Sequence, residues 1–82
     1  MNITIENIKA IFRKEVDARV DVEGMDPDKS ISDQGVDSLD QSSVFLALEE
    51  EFGIKIEDED IEKLNTLNKI FEFIKHESNA QF

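Results

Sequence analysis

The sequence predicts an all-α fold: a small four-helix bundle with three main helices, one short helix, and a long loop between the first and second. Three features point that way. Apolar residues recur at steps of three and four in separate segments, and turn-forming residues gather between the first and second of these. The one alternating run, Ile54-Lys55-Ile56, is too short and lacks a partner run with which to build a sheet.

The first helix is expected over residues 3–19, ITIENIKAIFRKEVDAR, where Ile5, Ile8, Phe12 and Val16 form one apolar stripe between charges. Asn2 or Thr4 would cap it. Residues 20–36 lose periodicity and collect Gly24, Asp26, Pro27, Asp28, Ser30, Ser32, Asp33 and Gly35, so they read as a loop, anchored to the core by Met25 and Ile31. The second helix spans 38–52, SLDQSSVFLALEEEF, and stops at Gly53, where a left-handed backbone is easiest for glycine. A short third helix is expected over 58–64, begun by Asp58, with Ile61 and Leu64 inward. Thr66 then caps a fourth, in which Leu67, Ile70, Phe71 and Ile74 repeat at helical spacing. Residues 1–76 form one domain in this reading, with 77–82 as a C-terminal tail.

Eighty-two residues suffice for one modest core and leave no room for a deep cleft walled by layers of structure. Six Phe with no Trp or Tyr give few amphipathic rings for gripping sugars or stacked bases. The net charge of −11 argues against nucleic acid, whose phosphates require Lys and Arg to displace counterions. The charge is concentrated: residues 37–62 hold ten acids against Lys55 alone, a local −9. Partners are therefore expected to carry basic patches. No apolar run approaches the ~20 residues that cross a bilayer, and the N-terminus lacks the pattern of a secretory signal, so a cytoplasmic monomer is expected. Cysteine is absent, which removes disulfides, thiolate ligands and a cysteine nucleophile.

Turning by about 100° per residue along the second helix places Val44, Phe45, Leu48 and Phe52 in one sector, the core stripe. Leu39 and Leu46 fall on the far side among Ser42, Ser43 and Glu50, so this helix has a second apolar face suited to docking. At its head, Ser38 with Gln41 three residues later fits a capping box. Asp37 is an equally good cap, and with Asp37 in that place Ser38 becomes the first helical residue, with a free hydroxyl. Ser38 has no base beside it to make it a nucleophile in its own right, because the only histidine, His76, lies near the C-terminus, most simply as an exposed residue ending the last helix. A calcium loop over 33–44 fails at its strict positions, with Ser38 in place of the glycine and Val44 in place of the bidentate glutamate, and no dedicated metal site is expected. A phosphate ester placed on Ser38 by another enzyme, by contrast, would sit against the unpaired amides and positive dipole of a helix N-terminus.

Several stretches together carry a family resemblance: GVDSLD at 35–40, ALEEEFGI at 47–54, the acidic IEDED at 56–60, and the helix opened by Thr66-Leu67. In these the chain resembles an acyl carrier protein, well over residues 30–76 and in pattern only over the first helix. The resemblance implies that Ser38 receives 4′-phosphopantetheine from coenzyme A through a phosphopantetheinyl transferase, with Asp37 serving the magnesium-dependent transfer. It supplies the missing thiol at the tip of the arm, and makes the chain a carrier and not an enzyme. It also implies a recognition patch of Leu39 and Leu46 flanked by Asp40, Glu49, Glu50 and Glu51, which meets Lys and Arg of acyl-transferring or condensing enzymes. Phe45, Leu48, Phe52, Ile61, Leu64, Phe71 and Ile74 would line a space for an acyl chain while also forming the core. Housekeeping fatty-acid carriers usually have Leu before the motif glycine, an apolar residue four after the serine, Glu five after it, and often Pro further on. This chain has Gln34, Ser42, Ser43 and Glu57 there. A specialised carrier of lipid, polyketide or fatty-acid synthesis is therefore expected, with an aminoacyl carrier or an unmodified acidic interaction module as alternatives.

Overall fold

The computed structural model describes residues 3–80, in the order α1 (Ile5–Glu15), a single 3-10 turn (Ser32–Gln34), α2 (Ser38–Phe52), α3 (Asp58–Ile61) and α4 (Leu67–Ala80). The described residues contain no strand, and the predicted all-helical class is the observed one. No helix among them is long and apolar enough to cross a membrane.

Thr4 caps α1 in a reciprocal box: its hydroxyl accepts the Asn7 N–H at 3.3 Å, and Asn7 Oδ1 accepts the Thr4 N–H at 2.9 Å. Asn2, the other candidate cap, lies outside the described residues. The helix stops at Glu15, short of the expected Arg19, because Val16 is already extended and the Asp17 carboxylate takes the Arg19 N–H at 2.8 Å, a local bond that competes with the helical one. The buried side chains of α1 are Ile8, Ile11 and Phe12. Ile5 is only half-buried and Val16 packs partly against the core, so the stripe centres on Ile11 and not on the helix ends.

The long loop is part of the core. Met25 and Ile31 are buried as expected, and Val22 and Val36 join them. Arg13 of α1 bonds both Glu6 and Glu23, fastening the loop across the helix surface. At its far end, Ile31 N–H donates to the Asn65 carbonyl at 2.8 Å and Asn68 N–H to the Pro27 carbonyl at 3.0 Å, which ties the loop to the start of α4.

The structure places α2 over the expected residues and ends it at Gly53, whose φ of 63° is the left-handed conformation. After it, Ile54 and Ile56 are both buried around an exposed Lys55, an alternation that serves the core without forming a sheet. The third helix is one turn, capped by Glu57 together with Asp60, and it ends at Ile61, before the expected Leu64. The amides of Lys63 and Leu64 fold back on Asp60 and Ile61 in tighter turns, and these bring Leu64 into the core while Ile61 stays half-buried. The expected cap of α4 is present, with Lys69 N–H on Thr66 Oγ1 at 3.1 Å. That helix continues through Ala80, so residues 77–80, expected to lie beyond it, prolong it instead. Residues 81–82 of the expected tail lie outside the described residues. The first helix packs against both α2 and α4.

Candidate functional site

The segment leading into α2 is held at four successive places before Ser38 is reached. Val36 is buried, and its N–H donates to the Ile31 carbonyl at 3.2 Å. Gly35 has a φ of 100°, a conformation that side-chain-bearing residues rarely adopt, and it turns the chain out of the 3-10 turn. Gln34 works as a clamp: its Oε1 accepts the Asp26 N–H at 2.6 Å, while its Nε2 lies 3.0–3.4 Å from the carbonyls of Asp26, Lys29 and Ser30. Asp37 then caps the helix, with Oδ1 accepting the Asp40 N–H at 2.8 Å.

The choice between two caps is thereby decided. Asp37 holds the capping position in extended backbone, and Ser38 is the first residue of α2, exposed, with no hydrogen bond to its hydroxyl among the described residues. Gln41 does reach back, but its Nε2 donates to the Val36 carbonyl at 3.0 Å and takes no part in a box with Ser38. Of the amides in the first turn, those of Asp40 and Gln41 are taken by Asp37. The N–H groups of Ser38 and Leu39 make no bond among the described residues, the usual condition of a helix start and a cradle for an anionic ester oxygen.

Along α2 the two faces separate as expected. Val44, Phe45 and Leu48 are buried and Phe52 is half-buried, while Leu39 and Leu46 are 80% and 57% exposed, the exposed large apolar residues of the described chain. Ser42 and Ser43 are exposed beside them.

The acids assigned to the recognition patch divide in two. Glu50 and Glu51 are exposed, and their side chains make no hydrogen bond or ion pair among the described residues. Glu49 is half-buried, and its Oε2 accepts the Ile56 N–H at 2.8 Å, closing the turn after α2. Asp40 is also half-buried, and its Oδ2 accepts the Asp17 N–H at 3.1 Å. Both bonds join residues too far apart in sequence for any local pattern to reveal them.

The residues assigned to an acyl-chain space also divide. Phe45, Leu48, Leu64 and Ile74 are fully in the core, whereas Phe52, Ile61 and Phe71 are half-buried against it. The Phe71 ring carries the Lys75 ammonium 5.9 Å from its centre, which accounts for an aromatic residue at the core edge.

An open groove of about 530 Å³ flanks the head of α2, with Asp17, Arg19, Gly35, Asp37 and Asp40 among its lining residues. Arg19, the only cation in that lining, is engaged by Asp17 at 3.2 Å, and the hydrogen bond from its guanidinium holds the Asp17 carboxyl below the usual carboxylate range. The vicinity of Ser38 is thus acidic, with Asp17, Asp21, Asp37 and Asp40 in the same lining. His76, the only histidine, is exposed on α4.

Residues 6–74 match the family model described as a phosphopantetheine attachment site. The chain is 40% identical over 77 residues to an acyl carrier protein of Thermosynechococcus vestitus, covering 93% of each chain. It is 40% identical over 77 residues to acyl carrier proteins of Buchnera aphidicola, across 90% of this chain and 96% of the relative, and of Bdellovibrio bacteriovorus, across 87% and 99%. With a free serine at the head of a capped helix, no thiol of its own and matches over nearly its whole length, the chain belongs to the acyl carrier protein family: a carrier of acyl groups and not an enzyme, with 4′-phosphopantetheine as its prosthetic group.

Proposed function

We propose that Ser38 is the residue that bears the arm, and that the chain is a specialised carrier dedicated to one route of fatty-acid, lipid or polyketide-type synthesis. The observation that carries this reading is the division of labour between neighbours: Asp37 caps α2, which leaves the Ser38 hydroxyl exposed beside two unpaired amides. Those amides, of Ser38 and Leu39, would hold a phosphodiester oxygen, and the helix dipole favours its charge. The arm supplies, when bound, the terminal thiol that a cysteine-free chain lacks, and acyl groups travel on it as thioesters.

This chain's own part in loading is presentation. Ser38 stands on a helix start held by the buried Val36, the Asp37 cap and the Gln41 back-bond, so its backbone is fixed in place for the transferase. As the Ser38 oxygen attacks the pyrophosphate of coenzyme A, the nucleotide half leaves and the serine proton passes to a base of the phosphopantetheinyl transferase. Asp37 caps through Oδ1 and has Oδ2 available to the magnesium-dependent transferase.

Acyl-transferring and condensing enzymes with basic patches are the expected partners. Leu39 and Leu46 set the fit, and Glu50 and Glu51 supply long-range attraction. Ser42 and Ser43 lie on that exposed face, which supports a partner set different from that of housekeeping carriers. The chain acts as a cytoplasmic monomer in this reading.

The test is the intact mass after incubation with coenzyme A and broad-specificity phosphopantetheinyl transferases. One phosphopantetheine per chain is expected for the natural sequence, and none for Ser38→Ala with an unchanged helical spectrum. An unmodified natural sequence, or a modified Ser38→Ala, would overturn the assignment. In the first case a salt-sensitive partner complex indifferent to Ser38→Ala would identify an acidic interaction module instead.

A further inference from the structure

Asp40 carries one of the charges of the recognition face, yet its carboxylate is committed within the chain. Its Oδ2 accepts the backbone N–H of Asp17, 23 residues away, at 3.1 Å, while its own N–H donates to Asp37 Oδ1 at 2.8 Å. Asp17 follows the extended Val16 at the point where the chain has left α1, so its N–H has no helical acceptor. Asp37 and Asp40 together therefore connect three things: the exit from α1, the cap of α2, and the first turn of α2, in which Ser38 sits. Helix ends fray at little free-energy cost, and group transfer depends steeply on the orientation of the attacking atom. A bond that joins this first turn to the chain just beyond α1 is thus placed where loss of order would be felt at Ser38.

We propose that Asp40 is a positioning residue for the loading of Ser38, acting through the hydrogen bond it accepts from Asp17 and not through its charge. This rests on the reading of Ser38 as the attachment point. It separates the recognition acids by role: Asp40 fixes the geometry of the site, and the unengaged Glu50 and Glu51 are left to attract partners.

Asparagine and alanine distinguish bond from charge, since Asp40→Asn keeps a carbonyl acceptor and loses the charge, whereas Asp40→Ala loses both. Alanine suits a helix interior, so both variants are expected to fold. Initial rates of arm transfer from coenzyme A would be measured against carrier concentration for both variants and the natural sequence, with amide exchange at Asp17 followed by NMR. In Asp40→Ala, kcat is expected to fall about tenfold, with faster exchange at Asp17. In Asp40→Asn, kcat is expected to return to within about twofold of the natural sequence, with Asp17 protected and any residual effect in KM. An Asp40→Asn variant as slow as Asp40→Ala would show that charge is what matters, and an unimpaired Asp40→Ala would show that the bond does not matter; either overturns the proposal. A natural sequence that gains no arm would instead overturn the Ser38 reading, and this inference with it.

Discussion

The helices α1 and α4 gather their apolar residues on one side, whereas α2 distributes its own over two. In α1 the buried set is Ile8, Ile11 and Phe12, and in α4 it includes Leu67, Ile70 and Ile74; each set is accounted for by the core. In α2 the core accounts for Val44, Phe45 and Leu48 but leaves Leu39 and Leu46 in water. Those two side chains add little to the core, which is why the proposed function gives them to partner contact. The contrast therefore separates the residues that hold the bundle together from those the proposed function assigns to docking.

The two faces of α2 can be set against each other by truncation. Leu48→Ala empties a site that is 0% exposed and is expected to cost about 2–5 kcal/mol in denaturant unfolding. Leu46→Ala should leave the unfolding curve within about 0.5 kcal/mol of the natural sequence and weaken enzyme association instead. A reversed order would mean that α2 is rotated about its axis. The neighbouring residues at the head of α2 give a smaller contrast of the same kind. Asp37→Ala removes the cap and should cost about 0.5–2 kcal/mol, whereas Ser38→Ala should be nearly silent in stability though decisive for loading. Equal losses would return the cap to Ser38.

The smallest effect is expected on α1, where Arg13 is engaged by Glu6 and Glu23 within the chain. The hydrogen bond from Arg13 holds the Glu23 carboxyl below the usual carboxylate range. Because the folded value is depressed, the stabilisation from this pair is complete above the unfolded value and disappears as pH falls through the folded one. An NMR titration should show Glu23 ionising at lower pH than an ordinary glutamate and returning to the usual range in Arg13→Gln. No accompanying change in arm transfer is expected, and a change would extend the functional surface onto α1.

Most of the helical framework was legible because it is periodic. Residues 38–52 read as one helix to the residue, and the exposure of Leu39 and Leu46 followed from rotation about its axis alone. The cap was not, since Asp37 and Ser38 are both good caps and the choice depends on burial of Val36, which fixes how the chain enters the helix. Val22 and Val36 were missed for a related reason: in a loop there is no period by which a buried residue announces itself. The bonds made by Asp40 and Glu49 reach across 23 and 7 residues to backbone groups that carry no side-chain signature. Gln34 registered only as a departure from the family pattern, and its role as a clamp emerges when the carbonyls of residues 26–30 surround its amide.

That clamp bears on how the chain withstands degradation. A protease needs an extended, accessible stretch of chain, and a helix-poor segment as long as the one between α1 and α2 would ordinarily provide it. Here Val22, Met25, Ile31 and Val36 are sunk in the core and the backbone between them is bound to Gln34, Asn65 and Asn68, so cleavage within this segment is expected to be slow while the bundle is folded. The longest helix-poor segment of the described chain is thereby tied to the same core that holds the helices.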